Sequence, residues 1–360
     1  MNYKDMGTIY VNGRFLIRPM SGVERYAYRV CKAMSSLGQE ITLVCPKTQI
    51  HSSYDVRDFN IVYYGYGSSH LWEQLVLPFF FFNKKDFLLL NFTGLGPVAV
   101  SSKVMTIHDL SFLENPRWFS KAYYWWYKLM TPLAVRTSRH VLTVSSFSKS
   151  EILRFYPFVK SDDVTVAYGA ADEAFQPDSS IQPSADPFVL AVSSLDPRKN
   201  FSSLISAFQG LSGCRLYIVG SYNRVFTAGN VCSQQLASVK FLGRVTDSEL
   251  IRLYNQACCF IFPSVYEGFG LPPIEAMHCG CPVLASNIPV LREVCGDAAV
   301  YFNPYDIESI RSAINQFFEK HTECRTVMQA KGFENVKRFS WELTANVIAG
   351  ICKTLSDKKV

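Results

Sequence analysis

No stretch of this 360-residue chain supplies the ~18 consecutive apolar residues needed to cross a bilayer. The longest apolar run, LVLPFFFF from Leu75 to Phe82, is far too short, and the opening MNYKDMGTIY lacks the apolar core of a secretion signal. A cytoplasmic protein is therefore expected. The eleven cysteines are odd in number and include no CxxC pair, which fits free thiols in a reducing compartment better than a disulfide framework. Cys279 and Cys281 form a lone CxC beside an apolar strand, which reads as packing and not as a metal site. There is no internal repeat, and no low-complexity tract beyond Phe79 to Phe82.

What is present points to two packed domains. The hydrophobic fraction is 48%, and 360 residues exceed what one compact core usually holds. The net charge of +6 is unevenly placed: residues 1–170 hold 19 Lys and Arg against 12 Asp and Glu, whereas residues 171–360 hold 17 against 18. A basic first half suits an anionic partner, either lipid headgroups or a phosphorylated acceptor, although a plain solvated surface would carry the same charges. No nucleic-acid partner is expected.

Short apolar runs alternate with helical stretches throughout. TIYVN, ITLVC, NIVYYG, FLLLNF, VMTIHD, HVLTVS and VTVAYG fill the first half, and FVLAVSS, RLYIVG, VKFLGRV, CFIFPS, PVLAS and AVYFN the second. Continuous apolar strands separated by helices predict an α/β class with two doubly wound parallel sheets. The stretch Asp172 to Pro187, rich in proline, serine and acid, reads as the linker. The expected domains are residues 1–178 and 187–340, with a closing helix over 341–360. Ligands in such sheets collect at the C-terminal ends of strands, so the polar residues there carry the functional reading.

Five places stand out. EGFGLPPIE places Glu267 and Glu275 on either side of seven residues that include two glycines and two prolines. Proline is tolerated in a first helical turn, so a helix opens there behind a flexible Gly268-Phe269-Gly270 turn, and its N-terminus suits an anion. A first-turn carboxylate is favourable for the helix dipole alone, which would explain Glu275, whereas Glu267 has no such explanation. Arg198 and Lys199 end the FVLAVSS strand and suit a diphosphate, Arg as a fork and Lys as a point charge. His108 ends VMTIHD, where an imidazole can donate or accept near neutral pH. Ser21 and Glu24 have capping-box spacing, and Gly22 between them would admit a ligand close to the backbone. Gly243-Arg244-Val245 closes the VKFLGRV strand and could offer backbone groups to a base. Together these describe a site for a nucleoside-diphosphate sugar.

At this point the chain resembles the retaining GT-B glycosyltransferases of family GT4 over nearly its whole length. The marks are the E-x7-E pair Glu267 and Glu275, SGVERY at Ser21, IHDL at Ile107, TVSSFSKSEI at Thr143, DPRKN at Asp196, and FLGRVTDSELIRLYNQA from Phe241. Trp72-Glu73-Gln74 and the form of the HDL segment resemble the branch of bacterial mannosyl- and rhamnosyltransferases of O-antigen and capsule assembly. The resemblance implies two Rossmann-like domains facing across a cleft, acceptor on the first and donor on the second, with the closing helix packing back on the first. It implies that Glu267 contacts the donor sugar, Glu275 the ribose, and Arg198 and Lys199 the departing diphosphate. Ser194, Arg244, Val245 and the backbone of Gly268, Phe269, Gly270 and Leu271 would also contact the donor. His108 would meet the sugar from the acceptor side, and Gly22 the phosphates. Many relatives carry two glycines where this chain has Ser21-Gly22.

The resemblance further implies same-face transfer without a metal or other cofactor, the positive charge coming from Arg198, Lys199 and the helix terminus. GDP-mannose is the favoured donor, with UDP- and dTDP-sugars as alternatives, and a lipid-linked saccharide the expected acceptor. The aromatic and lysine-bearing segment Trp118 to Met130 has the composition of a membrane-interface segment, which would place the enzyme peripherally on the inner face of the cytoplasmic membrane. Two other readings share the fold: a sugar-nucleotide epimerase, and a non-catalytic sugar-nucleotide-binding partner of an assembly complex.

Overall fold

The computed structural model describes residues 7–67, 69–182, 184–211, 213–220, 237–319 and 321–357; MNYKDM at the chain start, Pro183 of the expected linker and residues 358–360 of the expected closing helix lie outside these. The chain forms two compact units. The first comprises Met1–Leu110, Trp125–Gly169 and Phe339–Val360, the second Ser111–Tyr124 and Ala170–Arg338.

The first unit carries strands β1 Thr8–Asn12, β2 Ile41–Cys45, β3 Asn60–Tyr63, β4 Phe87–Asn91, β5 Lys103–Ile107, β6 His140–Thr143 and β7 Val164–Val166. They lie in the order β3-β2-β1-β4-β5-β6-β7, each pair parallel. The second unit carries β8 Phe188–Val192, β9 Arg215–Val219, β10 Val239–Gly243, β11 Cys259–Phe262, β12 Val283–Ser286 and β13 Ala299–Phe302, in the parallel order β10-β9-β8-β11-β12-β13. Every residue of β5, β6, β11 and β12 is buried, as expected of parallel strands covered on both faces. Both sheets are thus of the doubly wound α/β class read from the alternating strands.

Each unit has its own core. Val44, Trp72, Leu77, Phe81, Leu89 and Val100 cluster in the first. In the second, Phe201, Phe208, Ile218, Ile261, Leu284 and Phe317 do so. The last helix, Trp341–Asp357, packs on the Gly22–Ser36 helix of the first unit. Its buried residues Thr344, Ala345, Ile348, Ala349, Cys352 and Leu355 recur at helical spacing, so one stripe faces inward. Thr344 Oγ1 donates to Tyr168 O and Arg139 Nη2 to Leu355 O, both at 2.6 Å.

Two expectations change. The stretch from Asp172 is not a free tether: Phe175 is buried against Tyr254, and the Asn255 side chain donates to Gln176 O and accepts from Asp178 N. An aromatic anchor set among turn residues is what proline and serine content alone conceals. Nor do Ser21 and Glu24 form a capping box. The Ser21 hydroxyl donates to the Glu24 carboxylate and accepts no helix N–H. Cys31, Cys45, Cys214, Cys258, Cys259, Cys279, Cys281, Cys295 and Cys352 are all free thiols.

Candidate functional site

In the second unit the loops after β8 and β11 are fastened together. After β8, Pro197–Lys199 makes one tight turn that ends at Asn200 in the left-handed region (φ 56°). Asparagine tolerates that conformation, and its side chain is used as well: Asn200 Nδ2 donates to Pro263 O at 3.2 Å and Pro304 O at 2.7 Å. Val265 N–H donates to Arg198 O at 2.8 Å. This lacing brings Lys199 to Glu267, with Lys199 Nζ donating to Glu267 Oε1 at 2.6 Å and both side chains less than 10% exposed. Charge-assisted bonds of this length are among the stronger ones in proteins.

Arg198 is held differently. Asp196, 1% exposed, accepts from Arg198 Nε at 3.2 Å and from Ser194 Oγ at 2.7 Å, so one buried carboxylate orients both. Arg198 Nη1 also donates to Ser111 Oγ at 3.4 Å. Ser264, fully buried between Pro263 and Val265, has a hydroxyl with no hydrogen-bond partner.

The helix opens at Leu271, one residue before the two prolines, and runs to His278. Gly270 before it has φ 104°, and a Cβ there would fall 2.8 Å from Leu291 Cδ2, so glycine is required on two counts. Glu275 is the fifth helical residue, beyond the first turn, so the dipole no longer explains it. It is buried, and Tyr254 donates to its Oε2 at 3.3 Å. Burial, followed by the neighbouring Glu275 charge, pushes the Tyr254 phenol well up and keeps it a donor. Gly268 and Phe269 are buried on the same turn.

Arg198, Lys199, Ser194, Glu267, Gly268, Phe269, Gly270, Leu271 and Glu275 thus lie in the segments that follow two strands of one sheet, β8 and β11. Arg244 and Val245 follow β10, where Gly243 has φ 70° and its carbonyl accepts from Gly220 N–H at 2.8 Å; Arg244 is exposed and Val245 half-buried.

The remaining two residues belong to the first unit. His108 follows β5, half-buried, its ring 5.1 Å from that of Tyr26. Its Nε2–H donates to Phe92 O at 2.8 Å, so the neutral ring carries its lone pair on Nδ1. Burial pulls its pKa below the usual 6.5, despite the opposing Phe92 bond, so the ring is neutral at pH 7. Gly22 is the first residue of its helix, and a Cβ there would meet nothing within 4 Å. Packing therefore does not demand glycine.

Sequence reasoning misses Asp196, Asn200 and Ser264. Asp196 and Asn200 flank the Pro-Arg-Lys triplet, and an asparagine closing such a turn is the signal that could have found it. Among the described residues no three His, Cys, Asp or Glu converge as metal ligands, and no helix is long and apolar enough to cross a membrane.

The chain matches the family described as "Glycosyl transferases group 1" over residues 153–334 and "Glycosyltransferase Family 4" over residues 20–175. It is 30% identical over 322 residues to the O-antigen chain mannosyltransferase RfbU of Salmonella typhimurium, covering 82% of this chain and 86% of that one. It is 31% identical over 264 residues to O-antigen chain mannosyltransferase B of Escherichia coli, 68% of each chain. The serotype-specific mannosyltransferase WbdA of Escherichia coli is longer: its match, 30% identical over 233 residues, spans 28% of its length. Among solved structures, Alr3699/HepE of Anabaena, determined with UDP and glucose, superposes with a TM-score of 0.73 over 98% of this chain and 99% of its own, at 18% identity.

Proposed function

Because this chain belongs to the GT4-family glycosyltransferases of GT-B fold, we propose that it is a retaining, metal-independent hexosyltransferase. In this reading it moves mannose from GDP-mannose to a growing, lipid-linked surface polysaccharide. The observation that carries the proposal is the buried Lys199–Glu267 pair beside Arg198, where the loops after β8 and β11 meet the helix at Leu271. Arg198 and Lys199 bind the donor diphosphate, and Glu267 accepts hydrogen bonds from hydroxyls of the donor sugar. Glu275 accepts from the ribose. As the bond between C1 and the diphosphate oxygen breaks, the acceptor hydroxyl attacks C1 on the same face, and its proton passes to the departing diphosphate. The two cations stabilise that negative charge, which is the largest catalytic term such a site offers. His108, neutral at pH 7, orients a hydroxyl without competing for the proton.

Mannose is favoured because the two O-antigen relatives are named mannosyltransferases. A lipid-linked acceptor requires access to a membrane surface, and the first unit has a face that fits an anionic bilayer. Leu71, Leu75 and Phe79 are each at least 60% exposed along the helical run from Ser69 to Phe81, with Phe82, also exposed, and exposed Lys85 beyond its end. The neighbouring helix Lys121–Arg136 exposes Trp125, Leu129 and Leu133, with Lys128 Nζ 4.9 Å from the Trp125 ring centroid. His70 joins the two, 5.6 Å from Trp126. Large apolar side chains interspersed with lysines bind anionic interfaces.

The test is incubation with GDP-, UDP- and dTDP-hexoses and a polyprenyl-diphosphate-linked saccharide, with NMR of the product anomer. An α-linked product from an α-linked donor supports the reading. An inverted product, or a changed donor sugar formed without acceptor, contradicts it.

A further inference from the structure

The first unit holds a second polar cluster that the proposed donor chemistry does not use. In the strand order β3-β2-β1-β4-β5-β6-β7 the chain leaves β1 in both directions, so the ends of β1 and β4 are the topological switch point, where open α/β sheets bind ligands. Asn12 ends β1 and Asn91 ends β4. Asn12 Nδ2 donates to Asn91 Oδ1 at 2.6 Å and to Glu73 Oε1 at 2.7 Å. Arg14 Nε lies 3.5 Å from Glu73 Oε1, and His70 Nδ1 lies 3.5 Å from Glu73 Oε2. Glu73 reaches inward from a π-helical turn, Trp72–Val76, while Trp72 on one side fills the core and Gln74 on the other braces Gly96 O and Val98 N.

Arg14 is 2% exposed and Glu73 fully buried, yet Arg14 Nε and Nη1, Glu73 Oε2 and His70 Nδ1 have no hydrogen-bond partner. Burying a charged pair so incompletely satisfied costs stability that apolar residues of the same size would not cost. The fold alone gives no reason to keep it. Gly94 (φ 77°) covers Arg14 with backbone alone: a Cβ there would touch Arg14 Nη2, 3.6 Å away, and Tyr127 Oη, 4.0 Å away. His70 is the most accessible member, its side chain 26% exposed, and Trp126 and Tyr127 stand 5.6 and 5.7 Å from its ring.

Resting on the glycosyl-transfer reading, we propose that Arg14, Glu73 and His70 hold a terminal hexose of the acceptor through two of its neighbouring hydroxyls. The chemistry selects a neutral sugar over a phosphate. Arg14 and Glu73 cancel in charge, so an anion would meet a carboxylate as well as a guanidinium, whereas a hydroxyl accepts from Arg14 and donates to Glu73 at once. The Trp126 and Tyr127 rings offer the apolar face on which a sugar ring lies. The acceptor is thus recognised in this unit by its sugar end and not by its diphosphate.

The test is saturation-transfer NMR on the full chain with methyl α-D-mannoside, methyl α-D-glucoside and methyl α-L-rhamnoside, with inorganic phosphate as competitor. The expected result is binding of at least one glycoside, unaffected by phosphate and weakened tenfold or more in Glu73→Gln and in His70→Ala, with GDP or UDP affinity unchanged. Because Glu73→Gln leaves Arg14 facing a neutral amide in a buried place, thermal melts are run alongside, and the rim variant His70→Ala decides if the first unfolds. No glycoside signal from the wild-type chain, displacement by phosphate, or equal binding by His70→Ala overturns the proposal. Hydrolysis of nucleoside-diphosphate hexoses without acceptor is measured in parallel, so failure of the transferase reading shows there and failure of this subsite shows in the glycoside signal.

Discussion

Lys199 Nζ and Glu267 Oε1 meet at 2.6 Å, buried, across 68 positions of sequence. An exposed pair of this kind is worth little, but a buried one cannot lose a single partner cheaply. The residues taken to bind the diphosphate and the donor sugar are therefore mechanically one unit.

Lys199→Ala should lower transfer about a hundredfold or more, in line with loss of a well-placed charge donor. It should also destabilise the protein by about 3–5 kcal/mol, because Glu267 is left buried and unpaired. Adding Glu267→Gln should recover part of that stability and none of the activity. Chemical denaturation and steady-state turnover of the three variants check this, and near-native turnover by Lys199→Ala removes the assignment.

The two site glycines should behave oppositely. Gly270→Ala forces a side chain onto a φ of 104° and against Leu291, and should cost about 1–3 kcal/mol of stability. Gly22→Ala meets open space and should leave the melting temperature unchanged while weakening nucleotide-sugar binding. A Gly22→Ala protein with unchanged donor affinity would show that no phosphate approaches there.

Lys103 should give stability a pH dependence of its own. Its side chain, fully buried, donates to Val100 O and Thr137 Oγ1, and burial pulls its pKa from 10.5 to about 7. Between those values the unfolded chain binds the extra proton, so stability should rise from pH 7 towards 10.5, by up to about 1.4 kcal/mol per pH unit. Lys103→Met should flatten that slope. Denaturation midpoints across the range, compared with wild type, check it; an unchanged slope rejects it.

The apolar face of the first unit should bind anionic vesicles in a salt-sensitive way. Leu75→Asp and Phe79→Asp should each reduce flotation with phosphatidylglycerol liposomes without lowering the melting temperature, since both side chains are already in water. Flotation equal to wild type would count against a membrane surface as the occupant.

Much of the fold is legible because parallel strands buried on both faces write themselves as unbroken apolar runs; β5, β11 and β12 are such cases. The loops after β8 and β11 are legible because Pro-Arg-Lys and E-x7-E are local patterns. What is not legible is set by tertiary contact. Nothing near Lys199 announces Glu267 as its partner, and nothing near Arg14 announces Glu73. Glu275 reads as a first-turn residue when the prolines open the helix, whereas the helix begins one residue earlier. Phe175 shows the same limit, since its partner Tyr254 lies on a distant helix.

The central claim, that Glu267 serves the donor sugar while Arg198 and Lys199 serve the diphosphate, is tested most directly by Glu267→Gln. Transfer rate and nucleoside-diphosphate affinity are measured on the same preparation, by product formation and by calorimetry. The account predicts a transfer rate lowered about a hundredfold, with diphosphate affinity within a few-fold of wild type. Equal losses in both, or unimpaired transfer, would contradict it.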